Sequence, residues 1–175
     1  MKKYVFERNK NVENKLNEDV YPLGGIEIDE NNVVLFIYDK SVKKTKIGLN
    51  TGSKKVEDKK QYAVFVNERM QRIFFEKENV FIPLAMRELS HIINNDLEEK
   101  ERLENDESLS SKEVKEALKQ QELKADLFAV EQVGKNKMLN ALDHLIREKK
   151  SEKAKPKEIK ELENRKKIIS RIIVK

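Results

Sequence analysis

A chain of 175 residues that is 39% charged and only 6% aromatic, with no Trp, has material for one modest core and long solvated helices. It has no Cys, which excludes a disulfide framework, a thiolate metal site and a catalytic thiol. The net charge of +5 is uneven: Asp96 to Glu107 is net −5, and Arg147 to Lys175 is net +7. A basic tail of that kind can bind nucleic acid. This one lacks aromatic residues for base stacking, so a solvated helix of mixed charge is the expected reading, with nucleic acid the less favoured partner. No apolar run approaches the ~20 residues that span a bilayer, and nothing after Met1-Lys2-Lys3 forms a signal-peptide core. A cytoplasmic protein with no membrane partner is expected.

The first 75 residues read as β. Val33 to Tyr38 is rich in β-branched and aromatic residues and is the clearest strand; Tyr4 to Glu7, Gly25 to Ile28 and Lys44 to Leu49 are weaker ones. Leu23-Gly24-Gly25 and Asn50-Thr51-Gly52-Ser53 read as turns. Gln61 to Glu68 and Arg72 to Glu76 suggest a hairpin. The helical half begins near Asn79. Pro83 is tolerable only near a first turn, so a helix is expected from between Asn79 and Ile82 to about Asn94. The acidic segment follows as a loop or surface helix. Ser110, with Glu113 placed for a capping box, starts a helix that runs to about Val133 and ends at Gly134. This helix is apolar on most sides, which implies a central, buried position. Lys135 to Lys149 forms another helix, Ser151 to Pro156 a basic linker, and Lys157 to about Ile173 a final helix. In that last helix Ile159, Leu162, Ile169 and Ile173 form a 3-4 pattern interrupted by Lys166, suited to docking on the domain or to pairing between chains.

Two patterns in the helical half carry the chemistry. The apolar stretch Phe81 to Ile93 contains Arg87-Glu88-Leu89-Ser90-His91. His-Glu-x-x-His on a helix is a zinc-peptidase signature: residues i and i+4 share a face, both imidazoles reach one metal, and the Glu can act as general base. Here Arg87 stands at the first of those positions. Thirty-one residues after His91 comes Glu122-Leu123-Lys124-Ala125-Asp126, which sets two carboxylates one turn apart on one helical face. Unpaired charge on apolar helices costs several kcal/mol, so these residues require a reason beyond surface chemistry. The other histidine, His144, lies outside both patterns.

Together with the order strand, helix, helix, these residues resemble the small minigluzincin-type zinc peptidases of bacteria and their phages, over roughly residues 60 to 146. The resemblance implies an α+β fold, with a small N-terminal sheet followed by a zincin-like helical half: motif helix, glutamate helix and two further helices. It implies one minigluzincin-like domain over 1–150, with a β part over 1–77 and a helical part over 78–150, and a basic C-terminal helix over 151–175. It also implies residue roles. Glu88 corresponds to the general base, His91 and Glu122 to metal ligands, and Asp126 to the carboxylate that orients a ligand histidine. Arg87 replaces the remaining ligand with a permanent cation.

A guanidinium ~4 Å from a dication, at an effective dielectric of ~20, adds about 4 kcal/mol of repulsion per unit charge on the metal. The expectation is therefore a degenerate, inactive pseudo-peptidase that binds a protein or peptide and carries no cofactor. Arg87 is expected to pair with Glu122 or Asp126, and strand Tyr62 to Asn67 to accept an extended peptide at a sheet edge. The alternatives are a metallopeptidase with a non-standard zinc site (Glu88 as base, His91 and Glu122 as ligands) and a basic interaction module using the C-terminal helix.

Overall fold

The computed structural model describes residues 1–50 and 60–173, so the expected turn at Asn50 to Ser53 lies largely outside the described residues. The architecture is α+β, with an N-terminal sheet followed by helices. The chain divides into two compact units, Met1–Glu78 and Asn79–Lys175.

In the first unit, β1 (Phe6–Arg8), β2 (Val20–Glu27), β3 (Asn32–Asp39), β4 (Lys46–Asn50) and β5 (Lys60–Val66) form one sheet in the order β1-β2-β3-β5-β4. The β3–β5 pair is parallel and the others are antiparallel. A 3-10 turn at Val12–Lys15 buries Val12. β3 shows plain period-two alternation, burying Val34, Phe36 and Tyr38.

Leu23-Gly24-Gly25 is not the expected turn. It lies inside β2, where the register to β3 shifts between Pro22 and Gly24. The bulge changes the phase of the strand, so that Tyr21 and Leu23 are buried before it and Ile26 after it. It also accommodates Pro22, which cannot donate to a ladder. Gly24 is required there by close approach: a Cβ would meet the Glu7 carbonyl and lie 2.6 Å from Phe6 Cζ.

The expected hairpin after Gln61 is absent. Asn67 accepts a hydrogen bond from Met70 N at 3.0 Å and caps helix α1 (Glu68–Glu76), which buries Ile73 and Phe74. The β-prone run Ile73-Phe74-Phe75 is thus overridden by a cap and a one-sided apolar face. β5 lies between β3 and β4 and is paired on both sides. Tyr62 to Asn67 is therefore not a free edge, and strand addition there is corrected. Among the described residues, the strands paired on one side only are β1 and β4.

The second unit is helical: α2 (Glu78–Ile93), α3 (Asp96–Glu104), α4 (Ser111–Val133), α5 (Lys135–Ser151) and α6 (Pro156–Ser170). α2 starts one residue before the expected range, which places Pro83 in its second turn. Only the bond that Pro83 would give back to the first turn is lost, so the helix continues. α4 opens with the Ser110–Glu113 capping box and closes at Gly134, whose φ is +97°. Contrary to expectation, α4 is not buried on most sides. Its buried residues are Ala125, Asp126, Ala129 and Val130, all in the C-terminal half, whereas Val114, Ala117 and Leu118 are half-buried. α6 packs on α5 and α4, burying Leu162 and Ile169. No helix among the described residues is long and apolar enough to cross a membrane.

Replacing Gly24 with Ala is expected to overpack the β1–β2 contact and to cost about 1–3 kcal/mol, read from the midpoint of urea unfolding. Wild-type stability in that variant would show that the strands separate without penalty.

Candidate functional site

The residues singled out on α2 and α4 meet inside the second unit. Arg87 and His91 lie one turn apart on α2, and Glu122 and Asp126 one turn apart on α4, so two helical faces present two pairs to each other. Asp126 has no exposed surface and Arg87 is 8% exposed. Arg87 Nε donates to Asp126 Oδ1 at 2.5 Å, and Arg87 Nη2 donates to Glu122 Oε2. The guanidinium thus bridges both carboxylates. Asp126, Glu122 and Glu88 together hold its pKa above the ordinary arginine range against the opposing effect of burial.

A second cation completes the shell around Asp126. Arg165 of α6 donates from Nε to Oδ2 at 2.7 Å and from Nη2 to Oδ1 at 2.6 Å. Asp126 therefore accepts three charge-assisted bonds. Burial alone would push its carboxyl up, but the hydrogen bonds from Arg165 and the charges of both arginines hold it below the usual carboxylate range.

His91 is held from both sides. Its Nδ1 lies 2.7 Å from Asp96 Oδ2, and its Nε2 lies 3.4 Å from Glu122 Oε1. Asp96 is buried at the start of α3, directly after Asn95, whose left-handed backbone (φ 53°) turns the chain. Glu88 is half-buried and its pKa is raised, first by burial, although Arg87 and His91 act to lower it. His144, outside the cluster, pairs with Glu148 on its own helix at 3.0 Å.

Sequence reading thus identifies Arg87, Glu88, His91, Glu122 and Asp126 and misses Asp96 and Arg165. Arg165 had a signal. It sits between Leu162 and Ile169 on the docked stripe of α6, so a charge there has to be satisfied internally. Lys166, which interrupts the apolar pattern, instead reaches Asp143 at 2.5 Å.

The donors of this cluster do not fit a zinc ion. Catalytic zinc sites use three protein ligands. Here His91 Nε2 and Glu122 Oε1 face each other, and the other position is taken by a guanidinium, which has no lone pair to give. Among the described residues no group of three or more His, Asp and Glu is arranged to hold a metal ion. Set against protein-family models, curated proteins and solved structures, the chain matches none of them.

Two outcomes follow from this geometry. Arg87→Ala leaves Asp126 with Arg165, so its cost is expected to be about 1–3 kcal/mol. Asp126→Ala leaves the buried Arg87 and the half-buried Arg165 without their shared carboxylate and is expected to cost about 3–5 kcal/mol. Urea titrations of both variants check the order, and an equal or inverted order would show that the cluster is wet.

The second outcome concerns pH. The pKa of Glu88 is raised on folding, so the stability it contributes is full below the unfolded value of about 4.3 and is lost as pH rises through the folded value. Glu88→Gln cannot ionise. Its stability relative to wild type is therefore expected to increase as pH rises above about 4.3, measured as paired unfolding midpoints.

Proposed function

We propose that this chain is a disarmed zinc-peptidase scaffold of the minigluzincin type that acts by binding a protein or peptide rather than by cleaving one. The observation that carries the reading is the posture of His91. Its Nδ1 is bonded to a carboxylate, Asp96, which is how zinc-ligating histidines are oriented. Its Nε2 stands 3.4 Å from a Glu122 oxygen. Two ligands of a tetrahedral zinc, each ~2.0–2.1 Å from the metal, are about 3.3 Å apart, so this pair has the spacing of a ligand pair. Arg87 then stands one turn before His91, at the position of the missing ligand, with its charge directed at the glutamate that would share the metal.

On this reading the chemistry is lost for two reasons. The ligand count falls from three to two, and a fixed cation stands where the dication would be. Glu88, with its pKa raised, keeps the position of a general base but has no activated water to serve. The geometry does not favour the active-enzyme alternative, because the third ligand it needs is a guanidinium. Nor does it favour a free basic module: Arg165, part of the basic segment, is committed to Asp126.

Metal analysis of the purified protein and of Arg87→His tests the proposal. Wild type is expected to hold no stoichiometric zinc and to cleave no protein substrate, and Arg87→His to take up about one zinc per chain. Absence of zinc from folded Arg87→His, even with the Arg165 charge on Asp126 removed, would refute the zincin reading, and one zinc per chain in wild type would refute the loss of function.

A further inference from the structure

Arg165 reaches Asp126 from a helix that the site does not need for its framework. Residues 87, 88, 91, 122 and 126 all come from α2 and α4, whereas Arg165 arrives from α6, 39 positions after Asp126. Two of the three bonds on Asp126 are from Arg165, and they use both carboxylate oxygens; Arg87 uses Oδ1 alone. α6 is fixed on either side of this contact by buried Leu162 and Ile169, and by Lys166–Asp143 and Lys150–Glu163. A cavity of about 390 Å³ separates α4 from α6, with Glu122, Leu123, Lys160, Asn164, Arg165 and Ile168 among its walls. The Glu122 side chain is 45% exposed. The Arg165 guanidinium and Glu122 thus line the same cavity.

We propose that Arg165 is a second lock on the site: docked by α6, it holds a permanent positive charge on Asp126 and weakens the binding of a divalent cation independently of Arg87. This rests on the reading of the site as a disarmed zinc centre. A histidine at position 87 becomes an effective ligand when Asp126 accepts its free ring N–H, which fixes the ring and raises its basicity. With Arg165 in place, both Asp126 oxygens are already bonded and the charge of the carboxylate is neutralised. Arg165 is thus a positioning residue acting through Asp126. The competing account, that Arg165 only docks α6, makes no statement about metal.

Full-length variants separate the two, using zinc chloride titrated in competition with a chromophoric chelator. The set is Arg87→His alone and Arg87→His combined with Arg165→Gln, Arg165→Met or Arg165→Lys. Loss of an outer-shell partner weakens a metal site by ~10–100-fold, so releasing Asp126 is expected to tighten zinc by about that factor in the Gln and Met pairs. The Lys pair keeps the charge and is expected to stay near Arg87→His alone. Met retains the apolar stem, so it decides the matter if Gln does not fold by circular dichroism. Equal zinc affinity in Arg87→His and in a folded neutral double variant overturns the lock and leaves the zincin reading intact. Absence of zinc from every folded variant removes that reading, and the lock with it.

Discussion

Asp126 is a carboxylate with no exposed surface, on a helix whose buried neighbours are Ala125, Ala129 and Val130. An ionised group in that setting is stable only if its lone pairs are filled by charged donors. Two arginines fill them, one from α2 and one from α6, so a single side chain sets the relation of three helices. The buried residues of α4 cluster around this charged turn in its C-terminal half, whereas Val114, Ala117 and Leu118 nearer its capped end are half-buried.

The parts of this arrangement that were legible in the sequence are the ones set by local spacing. Residues 87 and 91, and 122 and 126, are each one turn apart, and period alone places each pair on one face. Ser110 with Glu113, and Gly134, are end signals whose chemistry acts within a few residues, and they fixed α4 closely. What escaped the reading depends on distance in sequence or on competition between local preferences. Arg165 meets Asp126 only because α5 returns the chain to it; the stripe of Leu162 and Ile169 signals that Arg165 is docked, but not which acid it meets. Asp96 looked like one more acid in an acidic run, and its burial follows from the Asn95 turn that folds α3 back towards His91. In the first unit, Ile73-Phe74-Phe75 has strand propensity and became helix because Asn67 caps it. Gly24-Gly25 looked like a turn and became a bulge because Pro22 and the change of buried phase need an extra residue inside β2.

Charge accounting links the site to the proposed loss of chemistry. Arg87 and Arg165 bring two positive charges, and Glu122 and Asp126 two negative ones, so these four groups are neutral together. Glu88 would be a third acid in the same half-buried space. Its raised pKa is the consequence, since desolvation outweighs the nearby cations. A zinc ion would also have brought two positive charges, but at one point and with open coordination for water. Two guanidiniums bring the same charge spread over planar forks, each bonded to carboxylates through its Nε and Nη2. They can balance the acids, but they cannot polarise a bound water.

On the proposed reading, that difference bears on why such a pocket persists without a metal. A buried carboxylate left alone is strongly destabilising, whereas one fully bonded to arginines is tolerated. Once Arg87 stands at the ligand position, Asp126 and Glu122 are needed as its partners, and removing either leaves a buried cation short of charge. On the proposed reading, the carboxylates of a metal centre become structural members of a hydrogen-bonded core, kept by the cost of leaving any one of the group unpaired. His91 is retained on the same terms. It is lodged between Asp96 and Glu122, and replacing it by an apolar residue would leave the buried Asp96 without its ring partner.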